Sequence, residues 1–379
     1  MLAGYLDNSA TTAVCEASIE AATAMMRENF GNPSSLHTVG FRAEQAITKA
    51  RTAIADLLRT TPDTITFTSG GTEANNLAVL GGASARIRRG KHVITTAVEH
   101  ASVSAACDEL VKRGFEITRL APNANGMITA AQLEAACRPD TVLVSVMLVN
   151  NETGARFPVE EMVRAVRRCA PHALFHCDAV QAAGKLPIDL NKLMVDTLSL
   201  SGHKLHAPKG CGALFIRKGV RLLPLTHGGG QERSLRPGTE ATPAIAAFGA
   251  AVKALPPIAK QTAHFEELCA QLTEGLSSLD GVVLHRPETA VPYIVHFSVL
   301  GIRSETMLHF LAERGVYVSS GSACSKGQKS PVLTAMGLPV AQIDSSLRAS
   351  FCYENTAADV AALINGVKAA MGSLARKKE

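Results

Sequence analysis

The sequence predicts an α/β protein: a mainly parallel sheet covered by helices, with a smaller α+β unit attached towards the C-terminus. Three observations carry that expectation. Short apolar runs bounded by turn residues alternate with amphipathic stretches between residues 65 and 216, which is the rhythm of β/α units. The rhythm breaks at Leu255-Pro256-Pro257, where a proline pair interrupts the pattern and a long helix-like segment follows. The length of 379 residues also exceeds what one hydrophobic core commonly fills.

The strand expectations, in order, are 65–68, 92–96, 115–120, 142–149, 175–178, 195–201 and 212–216. Each is rich in β-branched or large apolar residues, and helical spacing separates most of them, so consecutive strands run parallel through crossover helices. In such sheets a ligand sits beyond the C-terminal ends of the strands, which makes the residues there the candidates for function. Past residue 255 come the long helix-like segment, strand-like runs at 281–284 and 293–298, an alternating stretch at 346–351 and a closing helix. No internal repeat or low-complexity tract interrupts the chain.

Apolar residues make up 46% and charged residues 19% of the chain, the values of an ordinary globular protein. The net charge of +5 is modest, and the two basic clusters, 86–91 and 376–378, carry no interleaved aromatics; they read as a solvated loop and a frayed terminus, not as a nucleic-acid surface. Nine cysteines, odd in number and dispersed, do not make the dense even framework of a secreted domain, so a reducing compartment is expected. The first residues lack a basic and apolar leader pattern, and no apolar run reaches spanning length; the expectation is a cytoplasmic protein with no membrane partner.

The chemistry concentrates at strand ends. Ser201-Gly202-His203-Lys204 follows one strand and Asp178 ends another. A partly desolvated lysine forms imines with aldehydes, and a carboxylate keeps a pyridine nitrogen protonated, so the pair points to an aldehyde cofactor with a pyridine ring. Gly70-Gly71-Thr72 opens a helix after a strand, which suits a phosphate cradle and equally an ordinary strand-to-helix turn. Glu99-His100 also follows a strand: the imidazole can stack on a heteroaromatic ring, or simply cap the next helix. Asn150-Asn151-Glu152-Thr153-Gly154 closes the longest apolar run with an abrupt polar turn, where the Asn151 amide can donate to an anionic ring oxygen. Cys169, His172, His176 and Cys177 have a superficial zinc spacing, but adjacent strand residues point to opposite faces, and no metal is expected. Cys324 sits in a glycine-punctuated loop beside two lysines, surroundings that expose a thiol and favour its thiolate; the other eight cysteines read as packing residues. Arg348 can clamp a carboxylate through its fork or form a surface salt bridge.

Taken together these motifs resemble those of the cysteine desulfurases, in the class V aminotransferase group, from Tyr5-Leu6-Asp7-Asn8 to Asn355-Thr356. Asn32-Pro33-Ser34-Ser35, the Gly71-Thr72 turn, Glu99-His100, Asn150-Asn151-Glu152, 178–181, 201–204, the Gly228–Arg233 run with Arg236 and Gly238-Thr239, and the Cys324 loop stand in the family's order. The resemblance implies the fold type I of pyridoxal 5′-phosphate enzymes, with a seven-stranded sheet in a large domain at 14–255 and a small domain made of 1–13 and 256–379. It implies that Lys204 holds the cofactor covalently, Asp178 pairs with the ring nitrogen, His100 stacks on the ring, and Asn151 and Gln181 flank the ring oxygen and substrate. Gly71, Thr72, Ser201 and His203 would hold the phosphate, with Thr239 contributed by the second subunit of a homodimer. Arg348 would hold the carboxylate of L-cysteine, and Cys324 would receive its sulfur as a persulfide for transfer to an acceptor such as an iron–sulfur scaffold protein. The Cys324 loop, 325–331, is lysine-rich and slightly shorter than the family's commonest form, which leaves the acceptor open. A selenocysteine lyase or a transaminase on the same fold, and a non-enzymatic scaffold, are the competing readings. A transaminase has no need of Cys324, and a scaffold has no need of Lys204, Asp178, His100 and Cys324 together.

Overall fold

The computed structural model describes residues 2–123, 125–320 and 329–375. Seven strands, β1 (Ile65–Thr68), β2 (His92–Thr96), β3 (Glu116–Leu120), β4 (Thr141–Met147), β5 (Leu174–Asp178), β6 (Thr197–Ser201) and β7 (Gly212–Ile216), form one sheet in the order β1-β7-β6-β5-β4-β2-β3. Only β7 runs against its neighbours, β1 and β6; all other pairs are parallel, as the crossover rhythm predicted. Because both faces are covered, side-chain alternation splits the apolar strand residues between two cores. Leu143, Leu174 and Leu214 pack under the helical stretch 71–84 and helix Ala101–Lys112, while Val144, Phe175, Ala213 and Phe215 face the larger core on the other side.

That larger core is closed by helices Thr38–Leu57, Val159–Cys169 and Thr242–Ala254. A glycine sets one approach: a Cβ at Gly249 would lie 2.5 Å from Ala50 Cα, so a side chain there would force two helices apart. Truncating Phe175, which is fully buried, to alanine costs about 3–5 kcal/mol on general grounds.

Two strand limits differ from the sequence expectation. The apolar run ending at Val149 leaves the sheet after Met147, because Asn150 bends the chain: its side-chain Oδ1 accepts from the backbone N–H of Glu152 and Thr153, and its own N–H donates to Ala155. β6 starts at Thr197 because the preceding Asp196 turns its carboxylate inward to accept from Phe175 N (2.7 Å) and pair with Arg167 (2.6 Å). Cys137 and Cys169, read from sequence as packing thiols, are instead disulfide-bonded, with Cα atoms 6.1 Å apart. They lie on neighbouring helices, and adjacency of that kind is a tertiary fact with no local signature.

A second, antiparallel sheet has the order β10-β11-β9-β8, from β8 (Val282–Leu284), β9 (Ile294–Val299), β10 (Ser319–Ser320) and β11 (Ser346–Ser350). Helices Ile258–Ser277, Ser304–Ala312 and Ala357–Ser373 cover it. The first residues join this sheet and not the large one: Tyr5 bridges Tyr317 and Asp7 bridges Ser350. Among the described residues no single helix is long and apolar enough to cross a membrane.

Candidate active site

The C-terminal ends of β4, β5 and β6 open into a cavity of about 520 Å³, whose far wall is made by the second sheet. The parallel strands deliver their last residues to one edge, so residues far apart in sequence meet there. Gly71, Thr72, His100, Asn151, Asp178, Gln181, Ser201, His203, Lys204 and Arg348 all line this cavity.

Asp178 is 5% exposed, and its two oxygens accept from Val180 N (2.9 Å) and Asn75 Nδ2 (2.7 Å). His100 caps the helix Ala101–Lys112, its Nδ1 accepting from Ser102 N. The capping reading and the cavity reading of this histidine are thus both true: one ring nitrogen holds the helix while the ring lines the pocket. Burial holds the His100 pKa below the ordinary imidazole value, with Asp178 pulling the other way and Lys204 adding to the depression.

Lys204 follows β6 in a short turn and donates to the carbonyls of Ser9 and Ala10. The N-terminal segment is itself strapped down around this lysine. Thr12 donates its hydroxyl to His203 O (3.0 Å), His206 N donates to Thr12 Oγ1 (2.9 Å), and Gln181 Nε2 donates to Ser9 O (3.0 Å). Burial, reinforced by Lys204, pushes His203 down to about 4, so it is neutral at pH 7.

The cavity suits the phosphorylated pyridine aldehyde that the sequence resemblance implies. A Cβ at Gly71 would meet Val180 Cγ2 at 2.9 Å, so only glycine lets the helix start come this close to the β5 and β6 ends. Gln181 Oε1, at the cavity, is buried without a partner, which marks polar capacity not used within the chain. A carboxylate, a lysine amine and hydroxyls at a helix start are the donor set such a cofactor requires.

Arg348, on β11, is 6% exposed and lies at the cavity wall; it donates to Asp7 Oδ1 (2.8 Å) and to the Asn151 carbonyl (2.8 Å). The surface-bridge reading of this arginine does not hold. Glu152 accepts from the Ser330 hydroxyl (2.5 Å), and burial pushes its pKa up to about 7 against the pull of Ser330 and Arg348. Cys324 lies outside the described residues; on either side of its segment, Ser319, Ser320 and Pro331 line the cavity. Thr239 is not brought to the cavity: it lies in a separate groove with Met26, Phe30 and Pro33. Sequence reasoning assigned no role to Asn75, Ser102, Asp7 or Ser9, all of which line the cavity. Asn75 sits one helical turn after Gly71, so its spacing could have placed it on the same helix face.

Comparison with known proteins agrees with this geometry. The family model described as aminotransferase class-V matches residues 4–363. A cysteine desulfurase IscS of Methanosarcina thermophila is 43% identical over 94% of this chain and 89% of that protein. Among solved structures, a NifS-like protein superposes with a TM-score of 0.93 at 36% identity, covering 98% of this chain and all (100%) of the other. A second, SspA solved in complex with cysteine, gives a TM-score of 0.82 at 36% identity over 93% of this chain and 100% of its own. A lysine, an aspartate and a histidine meeting at the strand ends of a type I sheet, and likeness along almost the whole chain, lead to one assignment. The chain belongs to the class V aminotransferase family, among its pyridoxal-phosphate-dependent cysteine desulfurases.

Proposed function

We propose that the chain takes sulfur from L-cysteine at this cavity, stores it as a persulfide on Cys324, releases L-alanine and passes the sulfur to an acceptor protein such as an iron–sulfur scaffold. One observation carries the reading: Asp178, His100, Lys204 and Arg348, from four separate stretches of chain, line one cavity whose wall includes residues flanking the Cys324 segment. Pyridoxal phosphate, when bound, supplies an electron sink for negative charge developing at the substrate Cα. Asp178 is the residue to pair with the ring nitrogen, and His100 to lie against the ring. Gly71, Thr72, Ser201 and His203 are the phosphate holders, and Asn151 and Gln181 serve the ring oxygen and the substrate.

Arg348 takes the substrate carboxylate with its guanidinium fork, and Asp7 and the Asn151 carbonyl keep that fork oriented. The Lys204 amine removes the Cα proton. The Cys324 thiolate then attacks the substrate sulfur: an S–S bond forms, the C–S bond breaks, and the carbon retains the bonding pair and takes a proton. The sum is L-cysteine plus the Cys324 thiol giving L-alanine plus the Cys324 persulfide.

Thr239 faces a groove walled by Met26 and Phe30, which are 60% and 71% exposed, and this supports a homodimer in which each Thr239 serves the other subunit's phosphate site. The bridges from Tyr5 and Asp7 to the second sheet support a division into a large domain at 14–255 and a small one made of 1–13 and 256–379. The odd number and dispersal of the cysteines support a cytoplasmic location. Incubation of the purified protein with L-cysteine, measuring alanine and sulfide with and without a thiol reductant, tests the reading. Alanine should form with sulfide release dependent on the reductant; no alanine would overturn it.

A further inference from the structure

From behind the cavity into its wall, a continuous run of polar contacts joins β6 to His100. The Thr197 hydroxyl lies 2.9 Å from His176 Nδ1, and His176 Nε2 lies 3.0 Å from Asn75 Oδ1. Asn75 Nδ2 reaches both Asp178 Oδ2 (2.7 Å) and Ser102 Oγ (2.8 Å), and Ser102 Oγ lies 2.8 Å from His100 Nδ1. Thr197, His176, Asn75, Asp178 and Ser102 are all buried, so their polar atoms are satisfied by one another.

The one acidic member sets the direction of the links through Asn75, and a backbone N–H sets the direction at His100. A carboxylate only accepts, so Asn75 turns its amide nitrogen to Asp178 and its oxygen to His176. An amide oxygen also only accepts, so His176 carries its proton on Nε2. Full burial pushes the His176 pKa down to about 3, so the ring is neutral and its Nδ1 accepts from the Thr197 hydroxyl. On the other side Ser102 Oγ receives an Asn75 N–H and keeps both a lone pair and its own hydrogen, so its direction towards His100 Nδ1 is set by what else that nitrogen binds. The Ser102 backbone N–H donates to that same nitrogen at 3.2 Å. His100 Nδ1 therefore accepts twice.

We propose that Asn75, Ser102 and His176 are positioning residues that place the proton of His100 on Nε2, so that the ring offers the cavity a hydrogen-bond donor and not a free base. The second nitrogen of an imidazole is set by what the first one binds, and here the first is bound from behind by a run with a single consistent direction. The charged groups facing His100 are Asp178 at the end of β5 and Lys204 after β6. The inference rests on the proposed use of His100 at the cofactor site. Its test needs neither cofactor nor turnover, so its failure is separate from a failure of the desulfurase reading.

Nitrogen-15 NMR of histidine-labelled, cofactor-free protein reads the tautomers directly, with the His100 signals assigned by their loss in His100→Gln. The expected result near pH 7.5 is a protonated Nε2 and a lone-pair Nδ1 for both His100 and His176. Ser102→Ala removes a donor that favours the neutral ring, and should raise the His100 pKa by about one unit, while Ser102→Thr, which keeps the hydroxyl, should leave it at the wild-type value. A proton on Nδ1 of either histidine overturns the proposal, as does a Ser102→Ala titration that coincides with wild type. Ser102→Ala carries the test even where Asn75 and His176 variants fail to fold.

Discussion

Arg348 and Asp7 form an ion pair at 2.8 Å with side chains only 8% and 19% exposed, tying the first residues of the chain to the last strand at the cavity wall. Because the pair is nearly dry, removing one member leaves a poorly compensated charge, and Asp7→Ala should destabilise the fold by on the order of 3 kcal/mol. Arg348→Lys keeps a charge but loses the fork; the KM for L-cysteine should rise at least about tenfold with kcat falling less. Steady-state kinetics with L-cysteine check the second expectation, and an unchanged KM would remove Arg348 from substrate binding.

Lys204→Ala should lower alanine formation by at least about 10³-fold, since under the proposed function it removes both the cofactor linkage and the proton-transfer group. Borohydride reduction followed by peptide mass spectrometry should find the cofactor fixed on Lys204 in wild type and nowhere in the variant. Normal alanine production by the variant would defeat the assignment.

Cys324→Ala should keep the cofactor absorbance, because Lys204 and Asp178 are untouched, yet lose most alanine release from L-cysteine. Mass spectrometry of wild-type protein after L-cysteine should show one added sulfur on the Cys324 peptide. Wild-type alanine release by the variant would replace the persulfide mechanism with a lyase mechanism, and selenocysteine cleavage by the variant is compatible with either.

Phe30→Asp places a charge on an apolar residue that is 71% exposed beside the Thr239 groove, and it should dissociate the proposed homodimer. Thr239→Ala should leave the dimer intact and weaken cofactor retention. Sedimentation combined with cofactor absorbance separates the two effects; a monomer that retains cofactor as well as the dimer does would contradict the shared site.

Glu99, buried beside β4, accepts from the Thr96 hydroxyl (2.8 Å) and Met147 N (3.0 Å), and burial pushes its pKa up to about 8. The stability it contributes is fully present below its ordinary value of 4.5 and is lost as pH rises towards 8, because the folded state must then ionise a buried acid. Glu99→Gln keeps an acceptor without a charge. Its stability relative to wild type should therefore increase between pH 5 and pH 8 by on the order of 2 kcal/mol, measured by urea unfolding at the two pH values. A difference independent of pH would show that Glu99 does not titrate in this range.

Legibility differed from residue to residue for physical reasons. Asp178, Lys204 and the Gly71 turn were readable because each closes a short apolar run, and the period of the pattern tells where a strand stops and polar chemistry starts. His176 was legible only as one of four residues in a superficial zinc pattern, because its real partners, Asn75 and Thr197, come from a helix and a neighbouring strand. The ion pair of Arg348 with Asp7 joins residues at opposite ends of the chain, and no window of sequence contains both.

By itself the sequence determined the α/β class, the order of the strands along the chain, the change of pattern near residue 255 and the identity of the chemical groups, since these follow from local periodicity and from side-chain chemistry. Only the tertiary structure decided which groups meet. It reversed β7 within the sheet, ran the first residues along the second sheet, joined Cys137 to Cys169 and gave the Thr197-to-His100 run its direction. Each of those outcomes depends on elements packing side by side, and packing is decided by burial summed over the whole chain, which no local stretch encodes.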